Sequence, residues 1–239
     1  MDVSAVQQSI KKFLKKHKQT FFTISSNQSK ALELAVTVGV AEHYRSTGYA
    51  IHVVNPRRSP HTFVVKTSTR GNPWNFTHLK FERNGMVYEG HINLVVESAH
   101  DEGRYCVDFG LTKIDCVPDQ TPKAAWIAAQ NKDLVTFAEV KKLVVYPMLL
   151  AQFLGIVHEI KPCFIHGRTP SRFVKDDHLF PVLASLGNFS GNSSKIVESY
   201  KARKIRVLVA ENFDLRLARV RARKQQSPFV YKDEFEDEI

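Results

Sequence analysis

The chain is predicted to be an α/β protein, a mixed β-sheet flanked by helices on both faces. Two observations predict it. In the first half, strand-like runs follow one another through tight turns, which builds an antiparallel block. In the second half, strand-like runs alternate with helical stretches, which brings strands together by crossover connections. A hydrophobic content of 43% over 239 residues supplies enough apolar surface for one large domain, or one domain with a small extension.

The elements follow in order. Residues 3–17 place Val6, Ile10, Phe13 and Leu14 at helical spacing, with Lys11, Lys12, Lys15, Lys16 and Lys18 on the other face. A second helix runs from about Asn27 to Ser46, with Ser25 or Ser26 able to cap it. Ala31, Leu32, Leu34, Ala35, Val38 and Ala41 make it broadly apolar, interrupted by Glu33 and Glu42. Gly48 suits its C-terminal cap. The strand Ala50–Val54 follows and Pro56 stops it; Phe63–Thr67 reads as another strand. Phe76–Arg83 and Met86–Tyr88 flank Asn84-Gly85, the dipeptide best suited to a type I′ hairpin turn. The second arm can continue to Val96, and Arg104–Leu111 is the next strand.

Pro118 to Asn131 is a loop with a short helical piece around Lys123–Ala129. Leu134–Lys142 opens as a buried strand, and Pro147 begins a helix of about four turns that Lys161-Pro162 closes. Phe180–Gly187 is a buried strand, Ser193–Arg203 an amphipathic helix, and Ile205–Val209 a last strand. Arg216, Arg219, Arg221, Arg223 and Lys224 lie on a basic tail helix before an acidic end. The organisation is a basic N-terminal helix (1–24), a core (25–210), and a basic helix with acidic tail (211–239).

Composition narrows the function classes. The formal net charge is +10, and five acids fall in the last seven residues, so the first 232 carry +15. A body that basic favours a polyanionic partner through counterion release. No apolar run reaches the ~18 residues a membrane helix needs, and no apolar signal core follows Met1, so a cytoplasmic protein without a membrane partner is expected. Cys106, Cys116 and Cys163 have no metal-type spacing and read as free thiols. Trp74 and Trp126 read as packing residues.

The chemistry concentrates in Leu134-Val135-Thr136-Phe137-Ala138-Glu139-Val140-Lys141-Lys142. Glu139 and Lys141 are two positions apart, so a strand points both to one face. Asp108 interrupts the apolar strand Tyr-Cys-Val-Asp-Phe-Gly-Leu. If the two strands are neighbours, three ionisable groups converge. Two carboxylates suit Mg²⁺ (or Mn²⁺), a hard cation that prefers oxygen and keeps several waters. The Val140 carbonyl can add an oxygen, giving Asp108, Glu139 and Val140 as metal ligands. Lys141 can orient a water or offset charge on a phosphoryl transition state. A second triplet, Glu159-Ile160-Lys161, sits at a helix end where its lysine complements the dipole, and reads as structural.

From Asn27 to Val209 the sequence resembles the PD-(D/E)xK nuclease superfamily, the restriction-endonuclease-like fold. The resemblance rests on Thr47-Gly48-Tyr49-Ala50-Ile51-His52-Val53, Val107-Asp108-Phe109, Phe137-Ala138-Glu139-Val140-Lys141-Lys142, and Leu183–Gly187 with the following helix and strand. It implies a restriction-endonuclease-like mixed sheet and a Mg²⁺-dependent endonuclease acting on DNA, in restriction, phage defence or DNA processing. A double-strand cut implies a homodimer or a subunit of a larger complex. The catalytic set it implies is Asp108, Glu139 and Lys141. The metal-binding acid is Asp108 or Asp115, which a continuous strand would face oppositely. The resemblance adds a first-helix acid that assists the metal, with Glu33 a better match than Glu42, and a phosphate contact from Gln152. His158, near the end of that helix, reads as a partly buried or dipole-complementing histidine. The other readings are a catalytically silent nucleic-acid-binding or scaffold subunit with the same fold, and an ordinary Glu139–Lys141 ion pair.

Overall fold

The computed structural model describes residues 28–114, 127–167, 170–224 and 229. The expected N-terminal helix, Asp115, Cys116, Trp126, most of the Lys123–Ala129 piece and the acidic tail lie outside the described residues.

Helix α1 spans Gln28–Ser46. It buries Leu32, Val36, Val40 and Tyr44, each worth roughly 1.5–3 kcal/mol relative to exposure. It ends as its sequence requires: Gly48 takes φ +89°, and the Tyr49 N–H donates to the Tyr44 carbonyl. Strand β1 (Ala50–Val54) follows at the sheet edge, where Val53 is 58% exposed. Strands β2 (His78–Arg83) and β3 (Met86–Glu97) form the hairpin. Its turn residues Asn84 and Gly85 both have positive φ, 49° and 77°, as a type I′ turn demands. Strand β4 (Arg104–Lys113) pairs antiparallel with β3, and β5 (Leu134–Lys141) antiparallel with β4.

The direction then changes. Helix α2 (Pro147–Ile160) carries the chain over to β6 (Val182–Ser185), parallel to β5. Pro147 occupies the first helical turn, where its missing N–H costs nothing. A short helix α3 (Ser171–Lys175) lies in this crossover. Helix α4 (Ser193–Ala202) leads to β7 (Leu208–Ala210), parallel to β6, and α5 (Leu215–Arg223) closes the described chain. The result is a seven-stranded mixed sheet in the order β1 to β7.

Two hydrophobic clusters show that helices cover both faces. One joins Phe137 and Leu183 to Leu149, Leu150, Phe153 and Val157 of α2 and to Val197 and Tyr200 of α4. The other joins Ala138 and Ala184 to Leu32, Val36 and Val40 of α1 and Ala218 of α5. Phe137 and Ala138 are chain neighbours, as are Leu183 and Ala184, and strand alternation sends them to opposite sides.

Three expected strands change. Phe63–Thr67 forms none. Its polar groups are satisfied without a ladder: the Val64 N–H donates to the Thr77 hydroxyl, the Val64 carbonyl accepts the Thr77 N–H, and the Lys66 carbonyl accepts from Asn93 Nδ2. The strand expected over 180–187 narrows to β6, and the last strand starts at Leu208, leaving Ile205 and Val207 as core residues before it. Trp74 packs against the His91 ring at 5.2 Å, as a packing residue should.

Candidate active site

The hydrogen-bonded ladder between β4 and β5 has Phe109 and Ala138 as its last pair. Continued by one position, the register sets Asp108 beside Glu139, on one face. There the ladder is replaced by a side chain: Asp108 Oδ2 accepts the Val140 N–H at 2.7 Å. On the other flank of β4, Ile92 pairs with Phe109 and Leu94 with Val107, leaving Asn93 opposite Asp108. Asn93 has φ +51°, a left-handed conformation that Asn tolerates better than most residues. The sheet is therefore irregular on both sides of Asp108, and β5 is also where it turns from antiparallel to parallel pairing.

Three predicted residues meet here. Lys141 Nζ lies 2.7 Å from Glu139 Oε2 and 3.8 Å from Asp108 Oδ2. Glu139 is buried, and its Oε1 has no hydrogen-bond partner among the described residues. Burial raises its carboxyl to about 7, Asp108 pushes the same way, and Lys141 opposes both. Burial would lower the Lys141 ammonium, but Glu139 and Asp108 outweigh it, and its affinity for the proton rises. Lys141 is thus a firmly protonated cation near neutral pH, suited to act as a charge and hydrogen-bond donor.

Glu33 approaches from α1. It is buried, and Lys30 donates to both its oxygens, at 2.8 and 2.7 Å. Asn93 Nδ2 lies 3.4 Å from its Oε2. Burial raises the Glu33 carboxyl, Lys30 pulls it down, and Asp108 adds to the rise. Glu42 lies further along α1, paired with Arg45 at 3.2 Å. Glu139 and Lys141 line a cleft of about 450 Å³, with Tyr105, Leu149, Leu183 and the exposed Gln152. Gln152 therefore lines the same cleft as Glu139 and Lys141. His158 sits outside it, stacked on His100 at 4.7 Å.

The sequence reading missed the support around these groups. Lys66 is 2% exposed, and its ammonium donates to the carbonyls of Ser68 and Asn93 at 2.7 and 2.6 Å. Burial lowers it to about 8. It lies in the segment misread as a strand, which hid it. Lys30 was detectable, three residues before Glu33 on one helix face. Asn93 was detectable too, as a polar residue inside the apolar run Ile92 to Val96. Burial pushes the Cys106 thiol up to about 11, so it has little thiolate character.

The donor set is oxygen-rich. Two carboxylates, one of them with an unpartnered buried oxygen, fit a hard divalent cation completed by water. Among the described residues no group of three or more His, Cys, Asp or Glu side chains is arranged to hold a metal ion. A metal here would therefore rest on Asp108 and Glu139, because Lys30 engages both oxygens of Glu33. No family model matches the chain, and neither curated proteins nor solved structures yield a match.

Proposed function

We propose that the chain is a divalent-metal-dependent nuclease with a restriction-endonuclease-like fold, hydrolysing phosphodiester bonds in DNA. The observation that carries the reading is the gathering of Asp108, Glu139 and Lys141 where β4 and β5 stop pairing, with a buried Glu139 oxygen left without a partner. An isolated structural ion pair leaves no reason for that oxygen, whose burial without a partner costs roughly 1–3 kcal/mol.

Asp108 and Glu139 would hold Mg²⁺ or Mn²⁺, which supplies Lewis-acid polarisation of a phosphate oxygen and a more acidic water. Lys141 keeps its proton and lies against negative charge that grows as phosphorus is attacked. The Val140 N–H fixes Asp108, so that carboxylate is oriented before any ligand arrives. Gln152 stands exposed at the cleft, where its amide can donate to a phosphate oxygen. The basic flanking helices would grip the backbone without reading sequence.

Plasmid DNA incubated with the protein and Mg²⁺ tests the proposal. Wild type should nick or linearise it, and Lys141→Ala and Asp108→Asn should each lose at least about 100-fold in rate. Chelation with EDTA should abolish cleavage. Mg²⁺ should also raise the melting temperature of wild type but not of Glu139→Gln, a readout independent of turnover. DNA binding with no cleavage under any metal would favour a silent nucleic-acid-binding subunit.

A further inference from the structure

A cavity of about 620 Å³ opens at the other end of β5 from Glu139, with Leu134 in its lining. The two residues are five positions apart along the strand, roughly 17 Å. Four cations line this cavity: Lys113, Lys132, Lys161 and Arg172. Its lining holds one carboxylate, Asp176, which Arg172 already engages at 3.3 Å. Lys113 has Asp133 at 3.2 Å. Lys161 has no hydrogen bond or ion pair from its side chain among the described residues. It is largely buried, and that burial lowers its ammonium to about 8.

The triplet reading gave Lys161 a purely structural role, complementing the end of α2. Its placement at the helix C-terminus agrees, since its own N–H donates to the Val157 carbonyl. The cavity adds a second role. A largely buried ammonium with no direct ion pair among the described residues is costly, Asp133 offsetting only part of the burial, and an anion bound beside it recovers part of that cost. The wall of the same cavity is aromatic, with Tyr88, Phe164, Phe173 and His178. The Tyr88 and His178 rings meet edge to face at 4.8 Å, and Phe173 lies 5.4 Å from His178. A basic hollow of about 670 Å³ adjoins it, sharing Met86, Arg172 and Asp176 and adding Arg83 and Lys175.

We propose that this cavity is a second ligand site, for a small aromatic anion of the nucleotide class, with phosphates at Lys161 and its neighbouring cations and a ring on the aromatic wall. The volume falls within the range of sites that enclose small ligands. Bare phosphate would leave the apolar wall unused, and a polynucleotide would track a continuous groove of charge instead of a hollow walled by aromatic rings. The site is separate from the Asp108–Glu139 centre and does not depend on it being catalytic.

Calorimetric titration with ATP in EDTA tests it, since chelation keeps divalent metal out of both sites. The expected result is saturable binding that Lys161→Gln weakens by about tenfold or more, that Lys132→Gln weakens less, and that Lys141→Ala leaves unchanged. Inorganic tripolyphosphate should bind at least about tenfold more weakly than ATP. Lys132 is exposed, so its variant keeps the test informative if Lys161→Gln folds poorly. Absence of saturable ATP binding overturns the proposal. So does ATP affinity unaffected by both cavity lysine variants, or tripolyphosphate binding as tightly as ATP. Loss of ATP binding in Lys141→Ala would also overturn it, by moving the ligand to the other site.

Discussion

Glu139 shows how expensive a single buried carboxylate can be to the fold. Its folded-state carboxyl titrates near 7 against an ordinary 4.5, because burial and Asp108 disfavour the charge. The contribution of this group to stability is fully present below the unfolded value of 4.5 and is lost as pH rises through 7. Glu139→Gln removes that dependence. Urea unfolding should show the variant more stable than wild type at pH 8, by on the order of 1–3 kcal/mol, with the difference shrinking toward pH 4. A variant equally stable or less stable at pH 8 would mean that the Lys141 pairing outweighs the desolvation. If Glu139 holds a metal as proposed, it would trade stability for function, the exchange expected where charge is held ready for a ligand. Lys141 and Lys66 make a contrast in the same neighbourhood. Carboxylates strengthen the charge of the first, whereas the second donates to carbonyls among the described residues and burial weakens it.

Strand β5 carries the site because its two edges differ. One edge belongs to an antiparallel partner that stops at Ala138, and the other to a parallel partner that continues through Lys141. Glu139 and Lys141 are therefore held from the β6 side while the β4 side opens to admit the Asp108 carboxylate. The chain must leave β5 and β6 in close company, and Gly187 makes this possible. A Cβ at that position would stand 2.5 Å from Val144 Cα and 2.6 Å from its nitrogen, both backbone atoms that cannot swing aside. Gly187→Ala should lower stability by about 1–3 kcal/mol, read from a thermal melt. It should also reduce any cleavage activity, because the β5–β6 pairing holds Glu139 and Lys141. Ser185 reinforces this crossing, since its hydroxyl donates to the Leu143 carbonyl.

At the scale of the molecule, a sheet with a hydrophobic cluster on each face is combined with a strongly basic chain, +10 overall and +15 without its last seven residues. No helix among the described residues is long and apolar enough to cross a membrane. Charge of this size predicts that duplex DNA binding falls steeply with salt, by roughly 10³-fold or more between 50 and 200 mM if six or more phosphates are contacted. Fluorescence anisotropy on an unrelated-sequence duplex measures the slope. Lys141→Ala should change that slope by no more than about one contact, because the lysine faces two carboxylates rather than open solvent. A flat salt response would remove DNA as the polyanion the basic surface serves.

Much of the architecture was legible in the chain because it rests on local signals. The Asn84-Gly85 turn, the Gly48 cap, Pro147 at a helix start and the alternation in 134–141 each act over a few residues and need no distant partner. Asp108 and Glu139 were legible as candidates for the same reason, as acids where apolar strands expect none. Other features depended on residues far apart in sequence. The end of the β4–β5 ladder at Phe109 and Ala138, the capture of the Val140 N–H by Asp108, and the approach of Asn93 to Glu33 arise only once the sheet is assembled. So does the cavity around Lys161, whose cations come from β4, the segment before β5, the end of α2 and α3. Local propensity and patterning write the elements, but burial and charge compensation are properties of groups that meet in space, and only packing decides which groups those are.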